Sequence, residues 1–214
     1  MLSFDASEAY ALRKIFEDKG VTFTKHIEQT YHQINKDCWK KFESNELTMA
    51  QLKPLRMELT LKALQLDFDP VQFAESYHDR LGETDFFVPG AKELIESLAP
   101  DYQLVLITNG IEKVQQARLK NTGLDSFFPT IVISESIGVS KPNVGFFDYT
   151  FEQIKHPLKD QVLVIGDGLG SDIKGGNNYG VDTCWHNFKG IKNTSDIRPT
   201  YEIATIADLS TILK

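Results

Sequence analysis

From residue 103 onward, short apolar runs alternate with helical patterns, and this alternation limits the possible folds more than any other feature. Gln103-Leu-Val-Leu-Ile-Thr108, Thr130-Ile-Val-Ile133, Gln161-Val-Leu-Val-Ile165 and Gly180-Val-Asp-Thr-Cys-Trp185 are separated by helical stretches at 112–121, 144–154 and 172–179. The first three runs are apolar at nearly every position, as expected for strands covered on both faces. Strand, helix, strand in strict order predicts βαβ units, hence a doubly wound α/β domain around a parallel sheet. A helix at 91–98 precedes the series. A weak strand at 201–204 and a terminal helix near 207–213 close it.

The first 82 residues show no such alternation. Ala9, Leu12, Ile15 and Phe16 recur at helical spacing and are followed by Gly20. Tyr31, Ile34, Cys38 and Phe42 share one face of a second helix. Thr48 is placed to cap a third helix carrying Leu52, Leu55, Leu59, Ala63 and Leu66, and a fourth runs from Val71 to Leu81 after Pro70. Four helices with almost no strand signal predict a small bundle. Asp85-Phe-Phe-Val-Pro-Gly90 then breaks the pattern. The expected organisation is a helical domain over 5–84 and an α/β domain over 85–214.

Composition excludes several function classes. At 214 residues the chain is long enough for one domain, or a domain with a smaller insert. A net charge of −7 argues against nucleic-acid binding through phosphate contacts and against attraction to anionic lipid. No apolar run approaches the ~20 residues needed to span a bilayer, and no basic start followed by an apolar stretch suggests a signal peptide. Cys38 and Cys184 have no metal-ligand spacing, and the five histidines show no paired pattern. The expectation is a cytoplasmic protein.

In open parallel sheets, ligands bind beyond the carboxyl ends of the strands. Thr108-Asn109-Gly110 follows the first run, Ser140-Lys141-Pro142 comes seven residues after the second, and Gly166-Asp167-Gly168-Leu-Gly170-Ser171-Asp172 follows the third. Each has an ordinary explanation when taken alone: a turn, a solvated loop lysine, or carboxylates capping a helix start. Together they gather a hydroxyl, an ammonium and two carboxylates on one rim. Gly166-x-Gly168-x-x-Ser171 imitates a dinucleotide fingerprint, but it follows a late strand and its carboxylates would repel a pyrophosphate. That is the weaker alternative. Mg²⁺, held by one or two carboxylates with phosphate oxygens and water, suits the set better, and the lysine and hydroxyl would orient a phosphoryl group. Phosphoryl transfer is the expected chemistry.

These residues resemble the haloacid dehalogenase superfamily, in the branch with a helical cap inserted after the first strand. Val105-Leu-Ile-Thr108-Asn109-Gly110 resembles the family's second motif, Ser140-Lys141-Pro142 its third, and Val164-Ile-Gly-Asp167-Gly-Leu-Gly-Ser-Asp172 its fourth. The segment from Asp172 to Trp185 is similar to pyrimidine 5′-nucleotidase-like phosphatases. The resemblance implies that residues 5–84 are a four-helix cap on a Rossmann-like core. It implies that Thr108, with Asn109 beside it, serves the phosphoryl oxygens and that Lys141 holds the charge of nucleophile and phosphate. Asp167 would ligate Mg²⁺ directly and Asp172 would fix its water shell. The family's fourth motif often has Ser or Thr where Gly168 and Gly170 stand. A small phosphorylated metabolite is the implied substrate, and Tyr31, Asn35 and Trp39 on one stripe of the second helix are its candidate contacts, unless they pack within the bundle.

The same family opens with a buried strand ending in D-x-D-x-T, whose first aspartate attacks phosphorus and whose second is the acid/base. Met1-Leu-Ser-Phe4 resembles the stretch just after that motif, and Asp5 leads into a helix instead. No nucleophile is assigned within the 214 residues. The expectation is an N-terminally shortened phosphatase whose coding DNA continues in frame upstream. Loss of a nucleophile costs on the order of 10⁶ in rate, so the chain is expected to be nearly inactive and to bind Mg²⁺ weakly. A non-catalytic binding protein with the same fold is the alternative. The absent strand would lie between those ending at Thr108 and Ile165. These two are expected to close up and pair, with self-association through an open edge as a further consequence.

Overall fold

The computed structural model describes residues 1–44 and 46–213. They form two compact units: Leu2–Phe86 with Ile111–Leu124, and Met1 with Phe87–Gly110 and the chain from Asp125 onward. The division differs from the expected boundary at 84/85 in one main element, the helix after Thr108, which belongs to the helical unit. Among the described residues, no helix is long and apolar enough to cross a membrane.

The helical unit contains α1 (Phe4–Asp18), α2 (Lys25–Glu43), α3 (Met49–Ala63), α4 (Pro70–Gly82) and α6 (Glu112–Thr122). Each of the first four starts on a side-chain cap. Ser3, Thr24 and Asp69 accept from backbone N–H groups of the first turn, and Thr48 and Gln51 cap each other reciprocally. Phe16 and Phe73 meet edge to face at 5.1 Å, in a core with Leu12, Leu52 and Met57. Ile111 and Val114 join this core, which is why the sixth helix belongs here. The Arg118 guanidinium also donates to Ser7 Oγ at 2.8 Å.

The α/β unit contains α5 (Ala91–Leu98), β1 (Val105–Thr108), β2 (Thr130–Ile133), α7 (Ser134–Ile137), α8 (Val144–Gln153), β3 (Leu163–Gly166), α9 (Lys174–Tyr179), β4 (Asp182–His186) and β5 (Tyr201–Ile203). All strand pairs are parallel, in register Val105↔Thr130, Leu163↔Asp182 and Cys184↔Tyr201. The alternation therefore forms the expected α/β fold. Two details differ. The terminal segment is a 3₁₀ helix over Ile206–Thr211, and the strands form two sheets, β1-β2 and β3-β4-β5, where one sheet was expected.

β1 and β3 do not pair, which corrects the expectation that they close up. The physical reason lies in α8. Its Phe146, Phe147 and Phe151 pack in one cluster with Val132 of β2 and Val164 of β3, so the helix holds both sheets by their faces. Sliding one sheet by a strand spacing of ~4.8 Å would tear that packing. Ile165 on β3 stays 38% exposed.

Candidate active site

The site grows from three strand ends of the α/β unit. After β1, the Thr108 hydroxyl accepts from Gly110 N–H at 3.0 Å and turns the chain. Asn109 reaches across to the loop after β2. Its Nδ2 donates to Lys141 O at 2.8 Å, and its Oδ1 accepts from Lys141 N–H at 2.9 Å. This two-point clamp fixes the lysine backbone as a neighbouring strand would.

Lys141 is 5% exposed. Its Nζ donates to Ile107 O on β1 at 3.0 Å and to Asp172 Oδ1 at 2.6 Å. One ammonium thus links the two sheets at their carboxyl ends. The pair is buried on both sides, so each charge is stable only because the other is present. Asp172 arrives through a π-type turn, Leu169–Ile173, in which Ser171, Asp172 and Ile173 all donate their N–H to Gly168 O. Such widened turns recur at functional sites. Here the turn brings the second Asp172 oxygen back to Gly168 N–H at 3.0 Å.

The two glycines are required by this approach. A Cβ on Gly166 would lie 2.3 Å from Asp172 Oδ2, and one on Gly168 would lie 2.3 Å from Ser171 Oγ. The cradle that a dinucleotide fingerprint offers to a pyrophosphate is therefore filled by a carboxylate. This removes the dinucleotide alternative on steric and electrostatic grounds.

Asp167 stands between those glycines and is exposed. Among the described residues, no hydrogen bond of its carboxylate is found. Its backbone is held: Trp185, paired in register with Gly166, donates its indole N–H to Asp167 O at 3.1 Å. His186 follows on the same strand. Burial pushes its pKa down, and the Asp167 charge pulls the other way.

The structure thus gathers Asn109, Lys141 and Asp172 into one bonded set, with Thr108 and Asp167 on the adjoining turns. It does not bring Tyr31 and Asn35 to an open surface, and Trp39 is half-buried. Tyr31 and Asn35 are buried in the helical unit, where the Asn35 amide is taken up by Glu8 (2.9 Å) and Arg56 (3.0 Å). Trp39 packs edge-on against Phe42. For these three, packing within the bundle is what the structure shows. Trp185 was not among the sequence candidates, although it too stands at a strand's carboxyl end.

The donor set fits Mg²⁺ in its usual binding mode. Asp167 offers an unbonded carboxylate, Asp172 a second one that would act through water, and the remaining positions suit water and phosphate oxygens. Among the described residues, no group of three or more carboxylate, histidine or cysteine side chains is placed to hold a metal unaided.

The only D-x-D pair in the chain is Asp67-Phe-Asp69. Asp69 is committed elsewhere, since it caps α4 by accepting from Gln72 N–H at 2.8 Å.

Known proteins match this arrangement along nearly the whole chain. The chain is 37% identical over 213 residues to the HAD-hydrolase YfnB of Bacillus subtilis, covering all of this chain and 91% of that protein. It is 36% identical over 217 residues to the pyrimidine 5′-nucleotidase YjjG of Escherichia coli, with 98% and 96% covered. It is 34% identical over 210 residues to the pyrimidine 5′-nucleotidase PynA of Streptococcus pneumoniae, with 98% and 89% covered. A crystal structure of YfnB bound to magnesium superposes with a TM-score of 0.92 over 99% of this chain and 93% of that one. Residues 10–186 match the family model of haloacid dehalogenase-like hydrolases, and the chain belongs to that family.

Proposed function

We propose that the α/β unit is the core of a Mg²⁺-assisted phosphomonoesterase acting on pyrimidine nucleoside 5′-monophosphates, with residues 5–84 as its cap domain. The observation that carries this is the Lys141–Asp172 pair bridging two sheet ends beside an unbonded Asp167. The substrate class rests on YjjG and PynA, both pyrimidine 5′-nucleotidases. YfnB, crystallised with magnesium, supports the cation.

In this reading Thr108 donates its hydroxyl to a phosphoryl oxygen while its lone pair keeps Gly110 in place. Lys141 is fixed by Asn109 and Asp172, so its ammonium meets the phosphoryl charge without reorganisation, which is where electrostatic catalysis gains most. Asp167 would hold Mg²⁺ directly and Asp172 would orient its water. The cation supplies charge neutralisation at the phosphoryl oxygens.

The attacking carboxylate of this family sits in D-x-D-x-T, and the 214 residues contain no such motif. We infer that this chain alone turns over little, and that the free edges of β1 and β3 are where a strand bearing that motif would pair. The test is an assay with uridine monophosphate and Mg²⁺, with and without such a strand fused ahead of Met1. Turnover should appear only in the fused chain and vanish on Lys141→Ala or Asp167→Ala. Turnover by the unfused chain that is lost on Asp167→Ala would place the nucleophile elsewhere. No turnover in either chain would favour a binding protein that keeps the fold.

A further inference from the structure

The loop that presents Asp167 is built on glycines. Glycine stands on both sides of the aspartate, and glycine loses more conformational freedom on ordering than any other residue. Nearly all the bonds that organise the loop converge on Gly168: its carbonyl accepts three N–H groups and its own N–H binds Asp172. The peptide that joins Asp167 to Gly168 is held at both ends: its N–H goes to Asp172 Oδ2, and its carbonyl, Asp167 O, accepts from the Trp185 indole.

We propose that Trp185 is a positioning residue, whose indole N–H holds the Asp167 main chain so that the free carboxylate stays aimed at a divalent cation. The proposal rests on the metal role given to Asp167 under the proposed function. Three observations support it. Trp185 is 3% exposed, so its N–H needs a protein partner. An indole nitrogen donates and never accepts, so the polarity of this bond cannot invert. The β3–β4 register sets Trp185 beside Gly166, at the root of the loop, so sheet rigidity passes directly to the aspartate. A plain packing role would also bury the ring, but it would not connect the indole to cation binding.

That connection can be measured in the unmodified chain. The protein has two tryptophans, and ¹⁵N labelling shows each indole N–H separately, with Trp39→Phe giving the assignment. Titration with Mg²⁺ to saturation should move the Trp185 signal and leave that of Trp39 in place, and Asp167→Asn should abolish the movement. In Trp185→Phe, which keeps an aromatic side chain but removes the donor together with part of the indole's bulk, the apparent Mg²⁺ dissociation constant should rise about three- to tenfold, the range expected for one lost hydrogen bond. Amide exchange at Gly168–Ile173 should speed up by a similar factor, while Val164 and Cys184 in the β3–β4 ladder keep their protection. A Trp185 signal unmoved at saturating Mg²⁺ would overturn the proposal, whether or not the variant folds. So would wild-type Mg²⁺ affinity in Trp185→Phe alongside weakened affinity in Asp167→Asn. Undiminished Mg²⁺ binding by Asp167→Asn has a different signature: it removes the metal role of Asp167 itself, and leaves Trp185 as a brace of the loop only.

Discussion

Each unit of this protein buries charge, and the two do so in opposite ways. In the α/β unit the buried charges meet directly, Lys141 on Asp172 at 2.6 Å. In the helical unit, Glu8 is 1% exposed and Arg56 equally so, yet they communicate through Asn35, which donates to one and accepts from the other. Arg56 continues to the His78 ring at 2.7 Å, and Glu8 also meets His32 at 2.6 Å. The Nε atoms of Arg56 and Arg118 are buried with no partner among the described residues. Strand ends converge at one rim, so short direct pairing is available there, and the Asp167 carboxylate has no hydrogen bond among the described residues. Helices meet along their lengths, and Glu8, Asn35, Arg56 and His78 between them are linked in relay.

Breaking the direct pair should have the largest effect. Lys141→Ala strands Asp172 in a buried site and also removes the link to Ile107 O, so it should cost about 3–5 kcal/mol. Lys141→Ala/Asp172→Ala should recover part of that loss, and a double-mutant cycle by urea unfolding measures the coupling.

The relay should reveal itself through pH. Burial pushes Glu8 up to about 7, so the folded state holds a proton that the unfolded chain releases above its ordinary value of 4.5. Its contribution is full below 4.5 and fades as pH rises to about 7. His78 goes the other way: burial first, then Arg56, lower it to about 3 from 6.5, so its contribution is present above 6.5 and is lost as pH falls. Between 4.5 and 6.5 the two slopes oppose each other, each at about 1.4 kcal/mol per pH unit at most. Glu8→Gln should therefore make stability rise with pH across that window, by up to about 3 kcal/mol. His78→Gln should make it fall. Thermal melts at pH 4.5, 5.5 and 6.5 decide, and flat profiles in both variants would contradict the shared burial of these groups.

Two asparagines make the comparison sharper, because each bridges donor and acceptor. Asn35→Ala leaves Glu8 and Arg56 without their link and should cost about 2–3 kcal/mol, whereas Asn109→Ala exposes backbone groups nearer to water and should cost about 1–2 kcal/mol. Urea midpoints compare them directly. The smallest effect belongs to Asp69→Ala, which removes a cap on α4 and should cost about 1 kcal/mol. A larger loss would mean that the D-x-D pair does more than cap a helix.

Much of this was legible from local pattern. The Thr48 cap, the helical stripes of α1 to α4 and the strands β1 to β4 depend on residues within a turn or two of each other, and all were found near their expected places. The candidates Thr108, Asn109, Lys141, Asp167 and Asp172 were legible because strand ends are where parallel sheets present their side chains. Trp185 obeys the same rule, but an aromatic residue closing an apolar strand looks like core. Glu8, Arg56 and His78 gave no signal either, since single charged residues on helices ordinarily face water.

The sequence alone therefore determined the set of elements and the residues at their ends, because capping, periodicity and glycine placement act over a few residues. Tertiary structure decided the rest. It set α6 with the helices, kept β1 apart from β3 by packing α8 on both sheets, and gave Lys141 to Asp172 while leaving Asp167 unbonded. Lys141 and Asp172 are 31 residues apart in sequence, and Glu8 and Asn35 are 27 apart. Over such spans the partner of a buried charge is chosen by which elements pack together, and no local pattern encodes that choice.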